Sequence, residues 1–354
     1  MIEILTSGVA LGVHVPGLLL ADRLRERGVQ ARVRVLERLL PEDKLAVTND
    51  MKWAFHRDFR FALVGQAVAG APAFAVTDQM VDDLIGQWRA AGVRRFVVFS
   101  GFWLTLLERY AATCDAVPSV DICHVDSVAS PSFRDTGATV PWARHVWLAD
   151  AERVSLPWTI PVSAEPVVAW GDRERRLLVH GGGWGMGTYR EKADELRGRG
   201  FDLDVVAYEQ RDVSVDDPGV RFHMVDPEWH PWLDDGYPPF GAVHGDERPV
   251  FHRGNGHHGS FDVMRLSAAT VSKPGGGTLL DSLWSGTPVV LLEPFGGHEQ
   301  RNSELWQELG FGISFERWSE AGFDMGLLEE SHRALVKAAA DIPDYSGALT
   351  KAGE

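Results

Sequence analysis

Residues 271–302 read V-S-K-P-G-G-G-T-L-L-D-S-L-W-S-G-T-P-V-V-L-L-E-P-F-G-G-H-E-Q-R-N. The order is strand, glycine turn, helix, second strand, polar loop. A short apolar segment, Ala269 to Ser272, enters Pro274 and three glycines, which reach φ values other residues avoid and let backbone N–H groups approach a ligand closely. Thr278 is expected to open the helix. Its bare N–H groups and positive dipole end, with Lys273 just before the turn, suit a phosphate or diphosphate. Gly286 and Pro288 stop the helix, and Val289 to Leu292 read as a buried strand. The loop after it brings His298, Glu299, Gln300 and Asn302 to the same sheet edge, where open α/β sheets bind ligands.

The chain has 354 residues, too many for one typical core and suited to two α/β domains of about 150 to 200 residues each. Such a pair holds a cleft between its members. A net charge of -15 excludes a broad nucleic-acid-binding face, because phosphate backbones are gripped mainly by Lys and Arg. Cys114 and Cys123 form neither a disulfide framework nor a metal-ligand set, so a reducing cytoplasm is the expected setting. The apolar start lacks a basic leader and is broken by glycines, a histidine and a proline, so it reads as a strand and a helix start. No uninterrupted apolar run of about 18 residues occurs.

Taken in order, Ile2 to Leu5 predict a first parallel strand, Thr6 to Gly12 a glycine-containing loop carrying toward His14, and Pro16 to Arg27 a helix capped by Gly28. Gln30 to Leu36 complete a βαβ opening. Between Pro41 and Asp78 the pattern loosens around Lys52, Trp53, Phe55, His56, Arg57, Phe59, Arg60 and Phe61. That stretch reads as a helix packing its aromatics inward, with lipid contact the rival reading. Proline clustering at Pro157, Pro161 and Pro166 marks a hinge, dividing the chain into domains 1–163 and 172–354. The second half restarts the same grammar with a strand at Leu177 to His180 and the loop G-G-G-W-G-M-G, Gly181 to Gly187. An insert at 227–258 carries Trp229, His230, Trp232, Tyr237, His244, Asp246, His252, His257 and His258. It reads as a long loop overhanging the cleft, and its histidine spacing matches no standard metal set.

Two motifs then point one way. The 272–302 segment resembles the donor-binding signature of nucleotide-sugar glycosyltransferases of the GT-B fold, nearest to the branch of the peptidoglycan N-acetylglucosaminyltransferase and the diacylglycerol glucosyltransferases. Gly12 to Gly28, G-V-H-V-P-G-L-L-L-A-D-R-L-R-E-R-G, resembles the opening motif of the same superfamily. The strong likeness covers about fifty residues. It implies two Rossmann-like domains facing a central cleft, with the acceptor on the first and the donor on the second. It also implies roles: Gly275, Gly276, Gly277 and Thr278 around the diphosphate with Lys273 beside it, and Asp281 for the ribose hydroxyls where relatives carry Glu. Glu299 and Gln300 fall to the donor sugar, Gly182 and Gly183 complete the donor site, and His14 is the base. A neutral imidazole removes a proton from an acceptor hydroxyl as that oxygen attacks the anomeric carbon.

The expected reaction is transfer of a sugar from a UDP or dTDP donor to a small-molecule or natural-product acceptor, with inversion and with neither metal nor cofactor. Nucleotide-sugar hydrolysis or epimerisation on the same fold, and a non-catalytic partner role, are the rivals. The glycine loop at Gly181 does not meet G-x-G-x-x-G cleanly, against a dinucleotide site, and Ser/His/Asp hydrolysis has no nucleophile elbow. The acidic balance disfavours contact with anionic membranes.

Overall fold

The computed structural model describes residues 1–9, 11–68, 76–134, 140–213, 217–245 and 248–351. Asp246 of the insert lies outside them. The first half runs β1 (Ile2–Thr6), α1 (Leu11–Glu26), β2 (Ala31–Val35), α2 (Glu42–Arg57), α3 (Phe59–Val68), α4 (Asp78–Ala90), β3 (Arg95–Val98), α5 (Leu104–Ala112), β4 (Ser119–His124), α6 (Pro131–Arg134) and β5 (Arg144–Trp147). The second runs β6 (Glu174–His180), α7 (Tyr189–Gly198), β7 (Asp202–Ala207), β8 (Val220–Val225), β9 (Phe240–Val243), α8 (Gly259–Leu266), β10 (Ser267–Ser272), α9 (Gly276–Ser285), β11 (Val289–Leu291), α10 (Gly297–Glu308), β12 (Gly312–Ser314), α11 (Phe315–Glu320), α12 (Met325–Ala339) and α13 (Tyr345–Lys351).

Each half holds its own sheet. The first is five parallel strands in the order β2-β1-β3-β4-β5. The second is β12-β11-β10-β6-β7-β8-β9, parallel except that β9 runs antiparallel to β8. Strands covered by helices on both faces lose the polar alternation of half-exposed strands. β10, Ser267 to Ser272, accordingly has all six residues buried. Strand order reverses between β1 and β3 in one sheet and between β10 and β6 in the other, and those switch points open the crevices where such sheets take ligands.

Several readings change. The insert is not one loop, because Phe240 to Val243 pair with β8 as a hairpin strand. The proline-rich stretch expected as a hinge is packed, with Ile160 and Val162 fully buried. α13 follows the second sheet in sequence yet returns to the first. Tyr345 and Leu349 join its apolar cluster, and Tyr345 Oη donates to Asp121 Oδ2 at 2.6 Å. Within the 172–354 range, α13 thus packs on the first sheet. The same cluster takes in Leu280 of α9 and Phe261 of α8, so the halves share apolar surface. In the loosened 41–78 stretch the helix reading is right for Phe55, which is buried, while Phe61 stays 53% exposed.

Candidate functional site

The predicted glycine turn and helix sit at the β10 and β6 edge, where Gly275 caps α9 and the helix begins at Gly276, two residues before Thr278. Gly276 and Gly277 are glycine for reasons of space. A Cβ at Gly276 would come within 2.8 Å of Asp126 Oδ1 and 2.9 Å of Val125 Cγ1, and one at Gly277 within 3.2 Å of Gly12 Cα. The N-terminus of α9 thus abuts the N-terminus of α1 across the cleft. Two positive helix ends converge there.

Lys273, 8% exposed, does not stand free: its Nζ is hydrogen-bonded to Glu299 Oε1, and Glu299 is 3% exposed. Phe295 N donates to Glu299 Oε2 at 2.6 Å. The residue expected at the phosphate and the residue expected at the sugar therefore satisfy each other. Glu299 and Gln300 lie in the first turns of α10, not in a loop, and Gln300 Nε2 turns to Glu304 at 3.0 Å. Gly182, in the left-handed region at φ +72°, lies against the Lys273 stem, which brings the Gly181 loop and the Lys273 turn together as one rim. Gly183 approaches the Leu11 side chain of the opposite half.

Asp281 faces α8 and is held by His258, whose Nε2 is 3.1 Å from its carboxylate. Asn302 staples the halves together. Its Oδ1 accepts from Ser127 N at 2.7 Å, and its Nδ2 donates to Asp126 Oδ1 at 2.8 Å and Pro274 O at 2.9 Å.

His14 is not in a loop before the helix. α1 starts at Leu11 with Pro16 inside it, which places His14 in the opening turns, 2% exposed. Its Nδ1 is 3.0 Å from Thr6 Oγ1, and the Thr6 hydroxyl donates to Arg34 O at 3.2 Å. With its one proton used there, Thr6 oxygen accepts from His14 Nδ1–H, which fixes the tautomer and leaves the Nε2 lone pair free. Among the described residues, Nε2 is buried without a protein partner. Burial, then the charge of Arg38, pushes the imidazole pKa down to about 3, so the ring is neutral.

Glu37 is a participant that the sequence reading missed. It is fully buried, and its carboxylate accepts from Ser7 Oγ at 2.6 Å, Gly8 N at 2.6 Å and Val9 N at 3.3 Å. The N–H groups of the first-half loop are thereby occupied by the chain's own carboxyl, whose pKa burial raises against the lowering of those bonds. An anion in the cleft is then left to the converging N-termini of α9 and α1.

The insert crosses to the first half. Tyr237 Oη donates to Asp22 Oδ2 at 2.8 Å, Arg23 Nη2 to Gly256 O at 2.6 Å, and Arg38 pairs with Asp235 at 2.8 Å. Between the insert and the Gly181 loop lies a small open pocket, with Leu11 and Lys52 on one side and Trp184, Tyr208, Trp229 and Trp232 on the other. The buried Trp229 Nε1 has no partner among the described residues, and its ring centroid is 6.3 Å from that of His14. Elsewhere, His56, Glu209 and Asp212 have the grouping of a metal set, but Arg190 contacts His56 and Arg57 and Arg211 contact Glu209. Guanidinium groups already supply the positive charge there.

Two parallel α/β sheets with facing C-terminal edges, a packed connection and a returning terminal helix define a two-domain, doubly Rossmann-like protein. The fold is GT-B. The glycosyltransferase SsfS6 from Streptomyces sp. SF2575, solved with thymidine diphosphate, superposes with a TM-score of 0.58 at 14% identity, covering 100% of this chain and 99% of that one. SnogD from Streptomyces nogalater, also a glycosyltransferase, gives 0.57 at 14% identity over 99% and 98%. In sequence, 59 residues are 32% identical to the processive diacylglycerol beta-glucosyltransferase of Bacillus subtilis (strain 168), covering 17% of this chain and 15% of that protein. No protein-family profile matches the chain. Among the described residues, no helix is long and apolar enough to cross a membrane.

Proposed function

We propose that the protein transfers a sugar from a nucleoside diphosphate sugar to a small-molecule acceptor, with inversion and without a metal. The observation that carries this reading is the meeting of α9, with Lys273 and Glu299 at its mouth, and the His14-bearing start of α1 across one cleft. In this reading the diphosphate takes the N–H groups of Gly276, Gly277 and Thr278 and draws Lys273 from Glu299. Glu299 is then released to accept from donor-sugar hydroxyls, with Gln300 beside it, while Asp281 accepts from the ribose. Positive groups aimed at the departing diphosphate stabilise the charge that develops as the C1–O bond breaks.

His14 acts through Nε2. A base so weak takes the acceptor proton only as the new O–C1 bond forms, when the attacking hydroxyl has become acidic. One displacement at C1 inverts its configuration. The aromatic cavity beside Trp229 receives the acceptor and favours a flat or apolar small molecule, as stacking on indole rings requires. The superposed proteins support the donor side, since SsfS6 and the spinosyn rhamnosyltransferase SpnG were both solved with thymidine diphosphate. The free cysteines Cys114 and Cys123 accord with a reducing cytoplasm. Incubation with UDP- and dTDP-sugars, with and without a panel of hydroxylated aromatic acceptors, tests the reading. Glycosylated acceptor of opposite anomeric configuration by NMR is expected; free sugar alone, at equal rate with and without acceptor, contradicts transfer.

A further inference from the structure

Asp281 carries its carboxylate on a short arm, so the direction of its oxygens is set by the side chains that hold it. The neighbour here comes from the insert. His258, its last residue, caps α8 at the N-terminus and is 7% exposed. Its Nε2 lies 3.1 Å from Asp281 Oδ1 and 3.1 Å from Oδ2, and its Nδ1 lies 2.8 Å from Ser260 Oγ. The ring meets Phe261 edge-on at 6.3 Å, so its orientation is fixed by packing as well as by hydrogen bonds. One N–H shared between both oxygens holds the carboxylate plane and leaves one lone-pair direction on each oxygen turned away from His258. Burial alone would lower the imidazole pKa, but the Asp281 charge and hydrogen bond outweigh it and raise it, which keeps the pair charge-matched.

We propose that His258 is a positioning residue of the nucleotide site: it aims the short Asp281 carboxylate at the ribose hydroxyls and makes the end of the insert part of donor recognition. This rests on the nucleotide-site reading above. His258 touches no reacting atom in it. Its effect must appear only with ligands that carry a hydroxyl for Asp281 to accept, which separates aiming from mere support of the fold.

The test is calorimetric binding of UDP and thymidine diphosphate, and of their 2′,3′-dideoxy analogues, to the whole protein and to the His258→Ala and His258→Gln variants. Loss of one charge-assisted hydrogen bond's worth of orientation corresponds to about tenfold in affinity. His258→Ala is expected to weaken the hydroxyl-bearing nucleotides about tenfold and leave the dideoxy analogues unchanged. His258→Gln, whose amide N–H has similar reach, is expected to restore most of the loss. Equal affinity of wild type and His258→Ala for UDP or thymidine diphosphate overturns the role of His258, as does an equal loss for both ligand kinds. If no nucleotide binds the wild type, the nucleotide-site reading falls and this inference falls with it.

Discussion

Lys273 and Glu299 permit a quantitative prediction because both are buried and each is the other's main partner. Replacing Lys273 by Met removes the cation but leaves the Glu299 carboxylate 3% exposed, with only the Phe295 N–H to meet it at 2.6 Å. Breaking one side of a buried ion pair costs about 3–5 kcal/mol, because an uncompensated charge stays behind. For a folding unit of about 150–250 residues, each 1 kcal/mol shifts Tm by about 2–4 °C, so a fall of roughly 6–20 °C is expected. Glu299→Gln should cost a similar amount by stranding the ammonium. The double variant Lys273→Met, Glu299→Gln removes both charges and should recover most of the loss, a coupling of about 2 kcal/mol or more. Thermal unfolding followed by circular dichroism measures all four corners. Burial also makes the coupling nearly independent of salt between 0.05 and 0.5 M, unlike a surface pair. Single variants that each cost under about 1 kcal/mol, or additive costs, would refute the claim that these residues hold one another in a dry site.

Asn302→Ala should destabilise by about 2–4 kcal/mol, since it strands the buried Ser127 N–H and Pro274 carbonyl, and should raise protease cleavage in the 156–173 connection. His14→Ala should lower turnover at least a hundredfold while leaving nucleotide affinity nearly unchanged; equal activity removes His14 as the base. Two pH effects have opposite sign. The raised pKa of His258 gives stability that is fully present below about pH 6.5 and is lost as pH rises through its folded value, and Asp281→Asn should abolish that dependence. His14 and His180, each lowered to about 3 chiefly by burial, give stability present above about pH 6.5 and lost as pH falls toward 3. Urea titrations at pH 5, 6.5 and 8 separate the two.

Much of the second half was legible because fully buried parallel strands and glycine stops leave strong local marks. The buried strand expected at Val289 to Leu292 is β11, Val289–Leu291, and Gly286 ends α9 in the left-handed conformation at φ 65°. α1 was misplaced because proline prefers a first helical turn, which drew the predicted start to Pro16; the helix begins at Leu11 and accommodates Pro16 in its interior. That error put His14 in a loop instead of a buried turn. The pairings across the site were not legible at all. His258 with Asp281, Lys273 with Glu299 and Glu37 with the Ser7–Val9 loop join residues 23 to 30 positions apart through the folding of intervening chain, which no periodicity encodes. The four residues of β9 were too short to stand out from the Gly- and Pro-rich insert, and the return of α13 to the first sheet leaves no local mark.

The central claim is that the β6 and β10 edge, with Lys273, Glu299 and Asp281, binds a nucleoside diphosphate. Isothermal titration of UDP and thymidine diphosphate into the wild type and into the Lys273→Met, Glu299→Gln and Asp281→Ala variants tests it most directly. Binding of at least one nucleotide by the wild type, weakened tenfold or more in both a charge-pair double variant and Asp281→Ala with the fold intact by circular dichroism, is the predicted result. No binding by the wild type, or equal binding by all of them, would contradict the account.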